Sequence, residues 1–453
     1  MTFLLSVMMK IVIFGLIVAL AVGSIAKELN TNILVEETHT QSVHGEKRAH
    51  EISGKCGDNL SWFFDDEVSY LTISGQGDMS CCNQTYTPWS NFSDQVQNIE
   101  IQGGVSSIGQ FAFKDFTILK NVNITSNVTS IGNIAFRNCS NLQLIIIPSS
   151  VTSIGSYAFD GCSSLKSITI PSGITAIDDN TFDGCTSLKT VNIESNITSI
   201  GNNAFDNCKS LSTITIPSSV KSIGSYAFYG CASLTSITIP SGVTSIRDDT
   251  FNGCISLKTV NITSNITSIG RYAFSDCKNL TSITIPSSVK SIGSDAFSGC
   301  ESLTSITIPS GVTSIRDDTF NGCISLKTVN ITSNITTIGN YAFKDCKNLT
   351  SITIPPSVTS IGSHVFFGCS SLTSITIPSG VTSIDNYTFY DCISLSTVNI
   401  TSNITTIKTH AFSRCTNLTS IIIPFSVKSI GARAFSECES LTSITIPITC
   451  YFN

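Results

Sequence analysis

Apolar and polar positions follow one 23-residue rhythm from about Val96 to Ile446. In the unit Leu165-Lys166-Ser167-Ile168-Thr169-Ile170-Pro171 they alternate, which predicts a short strand with Ile168 and Ile170 inward and Ser167 and Thr169 outward. Pro171 has no amide hydrogen, so the strand's ladder ends there. Ile174 and Ile177 mark a second inward-facing stretch. The segment around Phe182 is too short for a stable helix, which predicts a turn or a single helical turn carrying the ring into the core.

Fifteen phenylalanines keep this step without a slip, from Phe113 to Phe435, and fourteen cysteines, Cys139 to Cys438, each stand three places after one. An ordinary globular core has no reason to hold such a period. A stack of equivalent coils does, because each coil packs on its neighbours alone. The chain reads as a repeat solenoid, mainly β, of about fifteen coils. Every third unit matches best: Ser218–Pro286 and Ser287–Pro355 differ at six positions, and Val243–Thr267 recurs unchanged as Val312–Thr336. The array grew by copying cassettes of 69 residues, so a uniform column records duplication as well as physical demand.

The flanks divide into four segments around the array at 96–447. Lys10, the apolar run Ile11–Val22 and the small residues of Gly23-Ser24-Ile25-Ala26 predict a secretory signal over 1–26, with an uncleaved anchor as the alternative. Residues 27–54 are polar and aperiodic. They hold His39, His44 and His50 in no ligand spacing, and are read as a flexible spacer. In 55–95, Leu71-Thr72-Ile73 alternates and runs into Ser74-Gly75-Gln76-Gly77, a turn signal, and both tryptophans lie here. This predicts a small β cap over the open apolar end of the stack. Cys56 is placed to pair with Cys81 or Cys82 in an oxidising compartment, and sequence chooses neither; the pairing of Cys450 is equally open. Residues 448–453 form a short tail without an anchor signal, and apart from the signal segment no run reaches the ~18 apolar residues needed to span a bilayer.

The unit Leu-x-x-Ile-x-Ile-Pro-x-x-Val-x-x-Ile-Gly-x-x-Ala-Phe-x-x-Cys stands whole in Leu211 to Cys231. It resembles the BspA-like class of leucine-rich repeats. Upstream, Cys56-Gly57-Asp58-Asn59-Leu60, Leu71 to Met79 and Pro88-Trp89 are similar to the segment that often precedes such repeats. The resemblance implies a right-handed leucine-rich-repeat stack on secreted or surface proteins of bacteria and mucosal protists. It also implies adhesins that bind host matrix or plasma proteins, or other cells. The family brings no catalytic residues, so none are carried over. Many protist members end in a membrane span and cytoplasmic tail, a pattern not seen in 448–453.

Charge and candidate chemistry narrow the reading. Only 12% of residues are charged and the net charge is −6, against the concentrated basic face that nucleic acid requires. Coils ~4.8 Å apart would bring neighbouring cysteines within disulfide range, but parallel Cβ vectors do not converge, so the column is read as buried thiols. One cysteine per coil does not gather the four ligands of zinc. The pairs Asp178-Asp179, Asp248-Asp249 and Asp317-Asp318 are read as solvated turns capping the turn at phenylalanine, and not as calcium sites. His364 and His410 share a column with Tyr157, Tyr226, Asp249, Tyr272, Asp295, Tyr341, Tyr387 and Arg433, taken as exposed and variable. No nucleophile–base constellation follows; neither an enzyme nor a cofactor is expected.

What remains is surface. The outward strand positions Ser236, Thr238, Thr259, Asn261, Ser282, Thr284, Ser305, Thr307, Thr328 and Asn330 are expected to form rows of hydroxyls and amides on the sheet face, suited to extended multivalent contact. The expected partners are extracellular proteins or glycans of host or neighbouring cells. The alternative is a self-associating coat without a specific ligand. Seventeen Asn-x-Ser/Thr sequons, Asn59 to Asn417, are compatible with a glycosylating compartment, although a chain rich in Asn, Ser and Thr makes them by chance. Glycans at Asn261, Asn330 and Asn399 would partly cover the face.

Overall fold

Three walls close each coil. The structure, a computed structural model, describes residues 52–446 except 126, 264 and 402, together with 450–452. The signal segment, most of the spacer and part of the tail lie outside the described residues.

The first wall is a parallel ladder one repeat apart in register: Ser167 pairs with Thr190, Ser236 with Thr259, Ser305 with Thr328. The second is a ladder of two-residue strands such as Ala176–Ile177, Ser199–Ile200 and Ser222–Ile223. Proline sets how far a first-wall strand pairs with the coil before it. In the coil that lacks proline, the Thr263 amide donates to the Ile239 carbonyl at 3.1 Å and extends the pairing of Ser236–Ile239 with Thr259–Ile262 to four residues. Pro286 stands in the same place one coil on, has no proton to donate, and only Ser282–Ile283 pairs.

The third wall is the turn around each phenylalanine, and it is not helical. Two residues per coil have left-handed backbone. The position two before the ring has φ between 51° and 62°, and the position two after has φ between 53° and 73°. Alternate amides point forward to the next coil: Tyr157 to Asp179, Phe159 to Thr181 and Gly161 to Asp183, at 3.1, 2.9 and 2.7 Å. The predicted turn is therefore held partly by the neighbouring coil, while the amides between, such as Asp160 to the Tyr157 carbonyl and Cys162 to the Phe159 carbonyl, close it within its own coil.

The core runs the length of the stack. Phe113 to Phe412 are fully buried at every step, and successive ring centroids lie 5.2–5.7 Å apart in stacked geometry. Such spacing is the offset stacking that aromatic quadrupoles favour. Leucine, isoleucine, valine and cysteine columns surround the rings.

The cap is an antiparallel meander of β1 (Ile52–Lys55), β2 (Leu60–Asp65) and β3 (Tyr70–Gly75). Residues 52–54, assigned to the spacer from sequence, belong to β1: Ile52 and Gly54 pair with Phe64 and Trp62. β3 then pairs in parallel with Asn98–Ile101, the first strand of the array. Trp89 continues the stack, with its ring 5.4 Å from Phe113. Its indole N–H donates to the Ala112 carbonyl at 2.6 Å, an acceptor that in later coils receives a phenylalanine amide. One side chain thus replaces a missing coil in both packing and hydrogen bonding.

Candidate interaction surface

The first wall faces solvent on its polar side. Ser236, Thr238, Thr259, Asn261, Ser282, Thr284, Ser305, Thr307, Thr328 and Asn330 are all exposed, as their strand parity requires. The ladder aligns Ser236, Thr259 and Ser282 in one row, and Thr238 beside Asn261 in the next. A few positions break the rows with apolar side chains. Leu144 and Ile146 are exposed near the amino-terminal end and Ile422 near the other, at 75% exposure, with Phe425 exposed at 90% in the turn after Pro424. A hollow of about 660 Å³ beside Ile422 is lined by Thr397, Asn399, Thr419 and Ser420. Sequence reasoning passed over these interruptions. Their signal was available as departures from a nearly invariant consensus.

The column of Tyr157, Tyr226, Tyr272, Tyr341, His364, Tyr387 and His410 is not the freely exposed position expected from sequence. Tyr157 and Tyr226 are exposed, the other five are half-buried, and Asp249 in the same column is buried. These are the residues two before each phenylalanine, so every one of them holds left-handed backbone. The rings cover one another along the stack: Tyr341, His364, Tyr387 and His410 follow at 4.6, 4.7 and 4.8 Å. Phe367 and Tyr390 form a second pair of stacked rings beside them at 4.8 Å. Burial in this stack, and the Lys344 ammonium nearby, hold the His364 imidazole below its ordinary value. Both histidines thus sit among aromatic rings, and at His364 the neutral imidazole is favoured.

The aspartate pairs brace neighbouring coils. Asp179, Asp248 and Asp317 each accept, through Oδ1, the amide of the residue 23 places on: Asn202 at 2.6 Å, Arg271 at 2.8 Å and Asn340 at 2.7 Å. Sequence had predicted that they cap the turn of their own coil; their backbone amide partners lie one coil on instead. Beside them Asp160, Asp183 and Asp206 occupy equivalent places in consecutive coils. Burial raises all three carboxyls, and Asp206 reaches about 6, with the neighbouring Asp183 charge adding to the effect.

The cysteine column is hydrogen-bonded throughout and buried from Cys139 to Cys415, with Cys438 half-buried. Each thiol from Cys139 to Cys438 donates to the carbonyl of the phenylalanine one coil back, as Cys254 does to Phe228 at 3.2 Å. That carbonyl also accepts the amide of its own coil's cysteine, as Phe228 does from Cys231. Burial raises the thiols from Cys162 to Cys415 and opposes the thiolate. Among the described residues no group of three or more His, Cys, Asp or Glu is placed to hold a metal ion, and no helix is long and apolar enough to cross a membrane.

The family model of the BspA type leucine rich repeat region (6 copies) matches residues 89–212, 157–280, 221–350, 267–394 and 336–452. Curated proteins give no match. Among solved structures, a leucine-rich repeat protein from Bacteroides ovatus is 29% identical, with 87% of this chain and 89% of its own covered and a TM-score of 0.59. A leucine rich cell surface protein from Faecalibacterium prausnitzii is 27% identical, over 77% of this chain and 95% of its own, with a TM-score of 0.43. A leucine-rich repeat protein from Eubacterium ventriosum is 23% identical, over 88% and 97%, with a TM-score of 0.39.

Proposed function

We propose, from the premise that this chain belongs to the BspA type leucine-rich repeat family, that it is a secreted or cell-surface adhesion protein. Its outer sheet face would bind extracellular proteins or glycans of host or neighbouring cells. The observation that supports this most is the set of in-register rows of exposed Ser, Thr and Asn on the first wall. Each group alone makes a weak hydrogen bond. Repetition at one coil spacing lets an extended partner engage many at once, so affinity accumulates by effective concentration. Leu144 and Ile146 at one end, with Ile422 and Phe425 at the other, add apolar anchors to an otherwise polar face.

The test is binding of the purified secreted chain to matrix proteins and intact cells. Saturable binding is expected. It should fall at least about tenfold when Ser236, Thr259, Ser282, Ser305 and Thr328 are replaced together by glutamate. Binding unchanged by those five substitutions would remove the assignment of this face. The exposed Phe425 and Ile422 favour a second reading, self-association into a coat. Concentration-dependent assembly that Phe425→Ser abolishes, without saturable binding to cells, would establish that reading instead.

A further inference from the structure

Three of the four thiols outside the repeating column, Cys56, Cys81 and Cys82, lie in the cap. Cys56 and Cys82 are buried, Cys81 is half-buried, and the Sγ atoms of Cys81 and Cys82 lie 3.4 Å apart. The backbone at Cys56 abuts the segment leading into Cys81. A Cβ added at Gly57 would stand 2.9 Å from the Asp78 carbonyl oxygen and 3.6 Å from Ser80 Oγ. The neighbouring thiols of Cys56 and Cys82 hold the Cys81 thiol below the ordinary range. This environment is the reverse of the column, where every thiol from Cys139 to Cys438 donates to a carbonyl.

We propose that this cluster is an oxidation site, at which a low-molecular-weight disulfide cross-links Cys81 to Cys56 and leaves Cys82 reduced. The proposal concerns the cap and stands apart from the reading of the sheet face. The Cys81 thiolate is the partly accessible nucleophile of the three. It attacks one sulfur of the small disulfide, whose S–S bond breaks. One thiolate departs, and a mixed disulfide remains on Cys81. Cys56 then gives up its proton and attacks Cys81 Sγ, expelling the second small thiolate. Two cysteine thiols are oxidised and one small disulfide is reduced to two thiols, with both protons carried away on them.

Cys56 is the resolving residue and Cys82 is not, for a geometric reason. Adjacent Cα atoms are ~3.8 Å apart across a trans peptide, below the ~4.4–6.8 Å that a relaxed disulfide spans. The bond would tie β1 and β2 to the chain that follows β3. It fastens a part of the protein that carries no copy of itself.

The experiment equilibrates the full secreted chain in glutathione buffers of rising disulfide fraction. The protein is then quenched with a maleimide and mapped by peptide mass spectrometry. The expected result is a Cys56–Cys81 linked peptide pair, with Cys82 alkylated only after denaturation and Cys139 to Cys438 reduced throughout. Cys56→Ser should trap a glutathione adduct on Cys81, whereas Cys82→Ala should still form the linked pair. Chymotryptic cleavage between residues 60 and 75 should slow by about tenfold or more on oxidation, because the closed loop opposes local opening. A Cys81–Cys82 link, a linked column cysteine, or Cys81 still alkylated in the most oxidising buffer would overturn the proposal. The mapping uses the unsubstituted protein, so it does not depend on any variant folding.

Discussion

A single ring in the stack touches its counterparts on both sides. Phe251 lies 5.6 Å from Phe228 and 5.4 Å from Phe274, centroid to centroid, and is fully buried. Phe251→Ala should therefore cost about 3–5 kcal/mol in urea denaturation, a full core deletion, because neighbours fixed by their own coils cannot collapse into the gap. Asp206 carries a pH-dependent cost at the same scale. Its carboxyl is harder to ionise in the fold, where it titrates near 6, than in the unfolded chain. The ionised form therefore destabilises, so stability falls as pH rises from the ordinary carboxylate range to about 6, and the whole cost is present above it. Asp206→Asn should raise the unfolding midpoint at pH 7 and flatten the slope between pH 4 and 6. A midpoint and slope equal to the parent's would contradict this. The phenylalanine column was legible as core from its period alone. The donor role of the thiols was not, because a buried cysteine reads as a small apolar residue until the carbonyl facing it is seen.

At the scale of the element, sequence reasoning read the first strand correctly, since alternation and proline both act along the chain. Thr263→Pro should convert a four-residue strand into a two-residue one. It removes both the amide and the hydroxyl that donate to the Ile239 carbonyl, at 3.1 and 2.7 Å. Hydrogen exchange at Asn261 and Ile262 should accelerate, with a global loss of about 1–3 kcal/mol; protection equal to the parent's would refute the proline account of strand length. The turn wall was read less well. Its left-handed pairs answer to the next coil's carbonyls, 22 residues away, and local propensity does not register a partner at that distance. A trace was nevertheless present: the position two after each phenylalanine is Gly161, Gly184, Asn207, Gly230 and Gly253 in successive coils, the residues that tolerate positive φ. The column two before the ring gave a weaker trace, with Asn180, Asn203, Asp249, Asp295 and Asp318 mixed among tyrosines and histidines, several of which are stacked on one another.

For the whole molecule, coils that contact only their neighbours make stability a sum of local terms. Deleting residues 218–286 joins Pro217 to Ser287 and reproduces a junction already present at Pro286-Ser287. The shortened chain should fold, with unchanged circular dichroism per residue and cooperative unfolding. Aggregation or lost signal would show that coupling runs beyond adjacent coils. The sequence by itself determined the repeat, the inward columns, the outward Ser and Thr rows and the family resemblance. Each of these is periodic along one chain and needs no partner to be recognised. Only the tertiary structure decided how the turn wall directs its amides, which tyrosines and histidines cover one another, that Trp89 stands in for a missing coil, and that Cys56, Cys81 and Cys82 meet. Those depend on which atoms neighbouring coils present across a gap of a few ångströms, and spacing along the chain does not encode that distance.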